Sequence, residues 1–334
     1  MLHAGALRWA FFKIEPAQKA LVQPKKIMPA QLDRAMKEHM SAIKKAVDEE
    51  NALDAAIESE FRKSELRPLS YGALKCVPVT GADCRQKLLF TSGKNSLSFE
   101  LDNCAMKNWQ VNGNLWVEAA GMPMFWLPSN AASARYTVTK QDVVKEGILV
   151  VAEKLFTRKN SAALEHLTIR HTLLVAPDLR SLKISSALID SHNAETGGGS
   201  FDLGFRYHFF PGNLSGQNGD ILLTAKGKEL VHKRVFEQRV YAREMGKSAT
   251  LMNKLFECPK APVLIDKSTA YLRYAKGKEQ LKIQAFPEKL FAGYAVWDTP
   301  KQKFPTFEPF FHPVRIENDK SALFSIELKV EKVK

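Results

Sequence analysis

Leu167-Thr-Ile-Arg-His-Thr-Leu-Leu174, Leu182-Lys-Ile-Ser-Ser-Ala-Leu188 and Leu203-Gly-Phe-Arg-Tyr-His-Phe-Phe210 decide the fold class. Large apolar residues recur at alternate positions in these runs, interrupted by His171 and Ser186. Turn residues bound them: Ala-Pro-Asp at 176–178, Thr-Gly-Gly-Gly-Ser at 196–200 and Pro-Gly-Asn at 211–213. A period of two over short runs, stopped by glycine and proline, is the pattern of half-buried antiparallel strands.

The same pattern extends in both directions. Toward the N-terminus it predicts strands at 88–90, 96–101, 136–139 and 148–156. Toward the C-terminus it predicts strands at 221–225, 230–237, 270–274, 281–285, 294–297 and 322–330. Many strands joined by short turns argue for a sandwich or barrel. The stretch after Pro68 is far longer than the roughly 100 residues of an immunoglobulin-type sandwich, so a large double sheet is expected. No strong repeat is visible, which argues against a propeller. Residues 235–257 fit a helical period as well as a strand period.

The N-terminal part reads differently. Pro16, Pro24 and Pro29 limit helix in an arm at 1–29. Leu32, Met36, Met40, Ile43 and Val47 then recur at three and four, and Leu53, Ile57 and Phe61 continue the stripe. This predicts an amphipathic helical segment over 30–63, ending before Pro68. The expected division is an arm and helix at 1–67 and a β domain at 68–334. The stripe packs on the domain that follows or on a second copy, which makes a homodimer through 30–63 one partner reading.

The 334 residues carry a formal net charge of +13. The basic residues are spread, with only short runs such as Lys25-Lys26 and Lys233-Arg234, and no zinc, RNA-recognition or base-reading pattern accompanies them. A solvated basic surface is favoured over nucleic acid. A uronate-containing glycan is the acidic polymer such a surface would suit. Cys76, Cys84, Cys104 and Cys258 form no C-x-x-C pair, which argues against structural zinc. Cys76 and Cys84 either bridge a hairpin or remain thiols. Asp190, His192 and Asn193 share a loop but lack the spacing of a metal site, and no cofactor is expected. No run reaches the roughly 20 apolar residues of a membrane span. Residues 1–12 form no convincing signal peptide, so the expectation is a cytoplasmic protein, or a periplasmic or secreted one if the N-terminus is incomplete. G-x-S-x-G, Walker and H-E-x-x-H patterns are absent.

Three stretches in order resemble the galactose mutarotase-like (aldose 1-epimerase) superfamily. They are Gly121-Met-Pro-Met-Phe-Trp-Leu-Pro128, the strands leading to Leu203–Phe210, and Gly293-Tyr-Ala-Val-Trp-Asp-Thr-Pro300 followed by Thr306-Phe-Glu-Pro309. The resemblance covers about residues 100–334. It implies a mostly β fold, a large antiparallel β-supersandwich, that binds a sugar or oligosaccharide. It implies Glu308 as catalytic base and His208 as acid. Opening a hemiacetal needs a base for the anomeric hydroxyl and an acid for the ring oxygen. Arg206 lies on the strand face of His208 and offers a fork to the substrate. Trp126 or Trp297 offers a flat apolar face.

The family pattern is not complete. Ser129–Arg135, where active members carry a second histidine, has none. His208 falls one place late, with Tyr207 at the matching position. A sugar epimerase and a non-catalytic sugar-binding or accessory module of a glycoside hydrolase system therefore both stay open, beside an interaction protein that works through its helix. Arg170 and His171 face opposite sides of one strand, so at most one reaches a site. His312 is a ligand or a rim residue, and Phe304, Phe307, Phe310 and Phe311 are core or rim.

Overall fold

Alternation governs the backbone. Ile169, His171, Leu173 and Val175 are buried, whereas Arg170 between them is exposed. The computed structural model describes residues 36–45, 48, 52, 66–80, 86–127, 131–132, 136–155, 167–190, 201–212, 214, 219–233, 236–274, 277–300, 305–316 and 322–333. The chain divides into two units, Met1–Glu60 and Phe61–Lys334. In the first, residues 36–45 form helix α1, with Met36, Met40 and Ile43 on one face at helical spacing.

The second unit is built of antiparallel strands. In chain order they are β1 (Leu69–Tyr71), β2 (Leu74–Thr80), β3 (Gln86–Ser92), β4 (Asn95–Glu100), β5 (Ala105–Val111), β6 (Asn114–Leu127), β7 (Ala131–Ala132), β8 (Thr137–Val144), β9 (Gly147–Leu155), β10 (Thr168–Val175) and β11 (Ser181–Asp190). There follow β12 (Phe201–Pro211), β13 (Gly219–Ala225), β14 (Lys228–Lys233), β15 (Arg239–Ala242), β16 (Val263–Leu264), β17 (Thr269–Tyr274), β18 (Glu279–Phe286), β19 (Phe291–Trp297), β20 (Thr306–Phe311), β21 (Val314–Ile316) and β22 (Ala322–Lys332). Helix α2 (Lys247–Leu255) lies between β15 and β16.

Among the described residues these strands make two sheets. The larger runs β1-β2-β3-β4-β5-β6-β12-β20-β19-β15-β16, with β7 on β6 and β21 on β12. The smaller runs β14-β13-β17-β18-β22-β11-β10-β9-β8. Only β15–β16 pairs in parallel. The core lies between the sheets: Phe205 of β12 stacks on Phe324 of β22 with centroids 5.2 Å apart, and Phe311 of β20 meets the same ring at 5.1 Å. This is the large mostly β double sheet that the alternation predicts. The helical period in 235–257 belongs to α2. Cys76 is a buried thiol, pushed up to about 12 by burial. Its proposed partner Cys84 lies outside the described residues, as do the arm at 1–29 and the loop of His192 and Asn193.

A polar chain threads this apolar core. Tyr136 Oη is 2.5 Å from His171 Nε2, His171 Nδ1 is 2.6 Å from Ser186 Oγ, and Ser186 Oγ is 2.8 Å from Tyr207 Oη. Tyr207 then donates to the Phe324 carbonyl at 3.4 Å. A carbonyl only accepts, so donation runs one way, from Tyr136 toward Phe324, with the His171 proton on Nδ1. The chain ties both sheets together, and each buried polar group in it has a partner.

Burial holds His171 neutral, lowered from an ordinary 6.5 to about 3. An unfolded chain takes up that proton as the pH drops below 6.5, and the folded chain only near 3. Stability from His171 is therefore full above 6.5 and declines as the pH falls toward 3. The slope is about 1.4 kcal/mol per pH unit. Urea unfolding at about pH 7 and about pH 5 should show this fall, and His171→Gln should remove roughly 2 kcal/mol of the difference. Equal pH dependence in the two proteins would show that His171 is protonated without unfolding.

Candidate functional site

Three of the side chains singled out from sequence, Arg206, His208 and Glu308, meet on the other face of the larger sheet. Strand β12 alternates Phe205, Tyr207 and Phe209 into the core with Arg206, His208 and Phe210 on the outer face. Strand β20 lies beside it. Arg206 pairs with Phe310 and Phe209 with Phe307, which sets His208 across from Glu308. On the far side of β20, Ala295 of β19 pairs with Glu308.

Glu308 is 1% exposed and Arg206 6%. A carboxylate so far from water needs a counter-charge and hydrogen bonds. Arg206 Nη1 donates to Glu308 Oε2 in a short, charge-assisted bond. The second oxygen, Oε1, is buried without a hydrogen bond and lies 3.4 Å from His208 Nε2. Burial lowers the pKa of His208 from its ordinary value. Glu308 opposes that shift and Arg206 adds to it. The imidazole is thus mostly neutral at pH 7, with its Nδ1 buried and without a hydrogen bond.

Helix α2 covers the neighbouring strands. Ala249, Met252 and Phe256 form an apolar cluster with Val240, Ala292, Ala295 and Phe310. The cover is close because the sheet beneath carries small residues. The Phe256 ring centroid lies 5.3 Å from the Arg206 guanidinium carbon, a cation–π contact, and its ring stands edge-on to Trp297 at 6.4 Å.

The other predicted site residues go to several places. Trp126 lies on the same outer face but is 4% exposed, edge-on to Phe310 at 6.3 Å. Its indole rests on Gly204, where a Cβ would stand 2.6 Å from Trp126 Cε2. It walls the apolar cluster and presents no open face to a ring. Trp297, 44% exposed, does present one. Tyr207 is in the core chain described above, on the opposite face from His208. Arg170 is on the outer surface of the smaller sheet, paired with Glu153 at 2.5 Å. Neither joins the set, because strand alternation turns Tyr207 inward and β10 belongs to the other sheet. His312 binds Ser248 Oγ of α2 through Nδ1 at 3.0 Å and faces Glu244 at 3.4 Å. It ties the helix to the end of β20.

Sequence reasoning missed Phe256, which carried no local signal, and gave no role to Thr306. Thr306 is fully buried on the Glu308 side of β20, and its hydroxyl has no hydrogen bond. Among the described residues no group of three His, Cys, Asp or Glu is placed to share a metal ion, and no helix is long and apolar enough to cross a membrane.

No protein-family model and no curated protein sequence matches the chain. Solved structures do. A candidate mutarotase, YeaD, from Salmonella typhimurium is similar over 80% of this chain and 97% of its own, with TM-score 0.51 and 12% identity. A galactose mutarotase-like protein from Clostridium acetobutylicum is similar over 78% of this chain and 99% of its own, with TM-score 0.50 and 10% identity. The alpha-N-acetylgalactosaminidase NagBb from Bifidobacterium bifidum matches 73% of this chain with 36% of its own length, at TM-score 0.50 and 9% identity. The described fold is thus that of the galactose mutarotase-like structures.

Proposed function

We propose that the chain binds a sugar on the outer face of the larger sheet and opens its ring there as an aldose 1-epimerase, with Glu308 as base and His208 as acid. The observation that carries this reading is the 3.4 Å approach of His208 Nε2 to Glu308 Oε1. In mutarotation the two oxygens that exchange protons, the anomeric hydroxyl and the ring oxygen, share one carbon. Acid and base must therefore stand side by side. Glu308 Oε1 takes the hydroxyl proton as the bond between C1 and the ring oxygen breaks. The imidazolium of His208 gives its proton to that oxygen. Rotation about C1–C2 and closure by the reverse steps yield the other anomer. Arg206 holds Glu308 through Oε2, and Trp297 offers the sugar an apolar face.

A second reading has its own support. Glu308 is 1% exposed and α2 packs beside it. That suits a non-catalytic sugar-binding module, and the chain matches only 36% of the length of the glycosidase NagBb.

Polarimetry of freshly dissolved glucose and galactose separates the two. The epimerase reading expects acceleration over buffer, a loss of about 10²–10⁴-fold in Glu308→Gln, and a comparable loss in His208→Asn. The lowered pKa of His208 fixes the sign of the pH dependence. Its acid form grows as the pH falls, so the rate should peak on the acid side of neutrality. A peak in alkali would reverse the two roles. No acceleration by the wild-type chain, with sugar binding retained, would leave the module reading.

The ion pair can be weighed apart from activity. Arg206→Met or Glu308→Met alone strands a buried charge and should cost about 3 kcal/mol or more. The double variant should cost less than the sum by about 2 kcal/mol in urea unfolding. Strict additivity would mean that the two groups are hydrated independently.

A further inference from the structure

We infer that Phe256 is the positioning residue of the outer-face set: its ring covers the Arg206 guanidinium and fixes the fork that holds Glu308 with Oε1 toward His208. Its place in the chain gives no hint of this, since α2 lies between β15 and β16 and Arg206 is on β12. The backbone at Phe256 is itself firmly held. Its N–H bonds to the Met252 carbonyl at 3.0 Å, and Glu257 turns at φ 47° to close the helix end. Two further bonds, from Glu257 N to Lys254 O at 3.1 Å and from Cys258 N to Asn253 O at 2.9 Å, secure that turn.

The ring is 6% exposed and lies between the Arg206 guanidinium and Trp297. Its strand, the Glu308 carboxylate and the Phe256 face converge on Arg206. A guanidinium kept from water bonds its carboxylate more strongly. Without the ring, water would solvate the guanidinium, and Glu308 would be free to turn Oε1 away from His208. The cover also explains why Glu308 tolerates 1% exposure beside a partly open histidine, whose side chain is 16% exposed. The catalytic part of this inference rests on the acid–base reading, whereas the positional part does not.

The test is the exchange of the buried Arg206 Nε–H with water, read by proton–nitrogen spectroscopy on the full ¹⁵N-labelled chain and assigned by its loss in Arg206→Lys. Phe256→Ala should speed exchange by about tenfold or more, and Phe256→Tyr, which keeps the ring, should stay within about twofold of wild type. Leu251→Ala removes a different side chain packed against the same cluster and should leave the signal unchanged. Equal acceleration by Leu251→Ala would reduce Phe256 to general packing of α2, and an unchanged rate in Phe256→Ala would overturn the inference outright. If Phe256→Ala does not fold, Phe256→Leu decides, since it fills the space without a π face. Faster exchange there supports the role, and wild-type exchange removes it. Where mutarotation is found, Phe256→Leu should lower kcat with KM within about twofold, as expected of a group that acts through another. A wild-type chain with no mutarotation would sink the acid–base reading and leave the exchange rates to decide on Phe256.

Discussion

The Glu308 carboxylate has been taken out of water, and the outer face of the larger sheet is arranged around that fact. An isolated buried carboxylate is too costly to survive in a folded chain. Arg206 meets it from the adjacent strand, which requires β12 and β20 to be neighbours in a register that places Arg206 two residues along from the position opposite Glu308. Two strands about a hundred residues apart in the chain are thereby held to one alignment. A slip of one residue would turn Arg206 and His208 into the core and put Phe205 and Phe209 outside. The apolar alternation and the ion pair specify the same register, and each makes the other's failure expensive.

Strand β12 connects the two halves of the protein. Through Tyr207 it reaches the hydrogen-bonded chain of Ser186, His171 and Tyr136 in the smaller sheet. Through Arg206 and His208 it carries the outer set. Side chains one residue apart therefore belong to different environments, one closed between sheets and one facing α2 and Trp297. Both histidines are lowered by burial, but His171 is satisfied on both nitrogens, whereas His208 has an unbonded Nδ1 and a carboxylate oxygen beside Nε2.

How much of this is legible in the sequence depends on range. The alternation in Leu167–Leu174, Leu182–Leu188 and Leu203–Phe210 exposes three strands because each is apolar on one face and bounded by turn residues. Strands β6 and β20 are harder to see. Pro123 and Pro309 interrupt them, and a proline, which cannot donate to a ladder, reads as evidence against an interior strand. Arg206, His208 and Glu308 are recoverable because two share a strand face and the third follows a family-like pattern. The fate of Trp126 is not: whether an indole stands open or lies flat on Gly204 depends on a neighbouring strand. Phe256 is invisible for the same reason, since its contact with Arg206 exists only after α2 has folded back over the sheet.

The two oxygens of Glu308 suggest how stability and chemistry can share one residue. Oε2 is spent on Arg206, and that bond holds the carboxylate in place. Oε1 has no hydrogen bond and faces His208. The same division holds for the face as a whole. Apolar contacts from Phe256, Met252 and Phe310 supply rigidity on the α2 side, while the less enclosed His208 and the exposed Trp297 leave a side on which a sugar ring could lie. Loosening α2 to widen access would hydrate Arg206 and weaken the hold on Oε2. Access and orientation are therefore opposed in this fold.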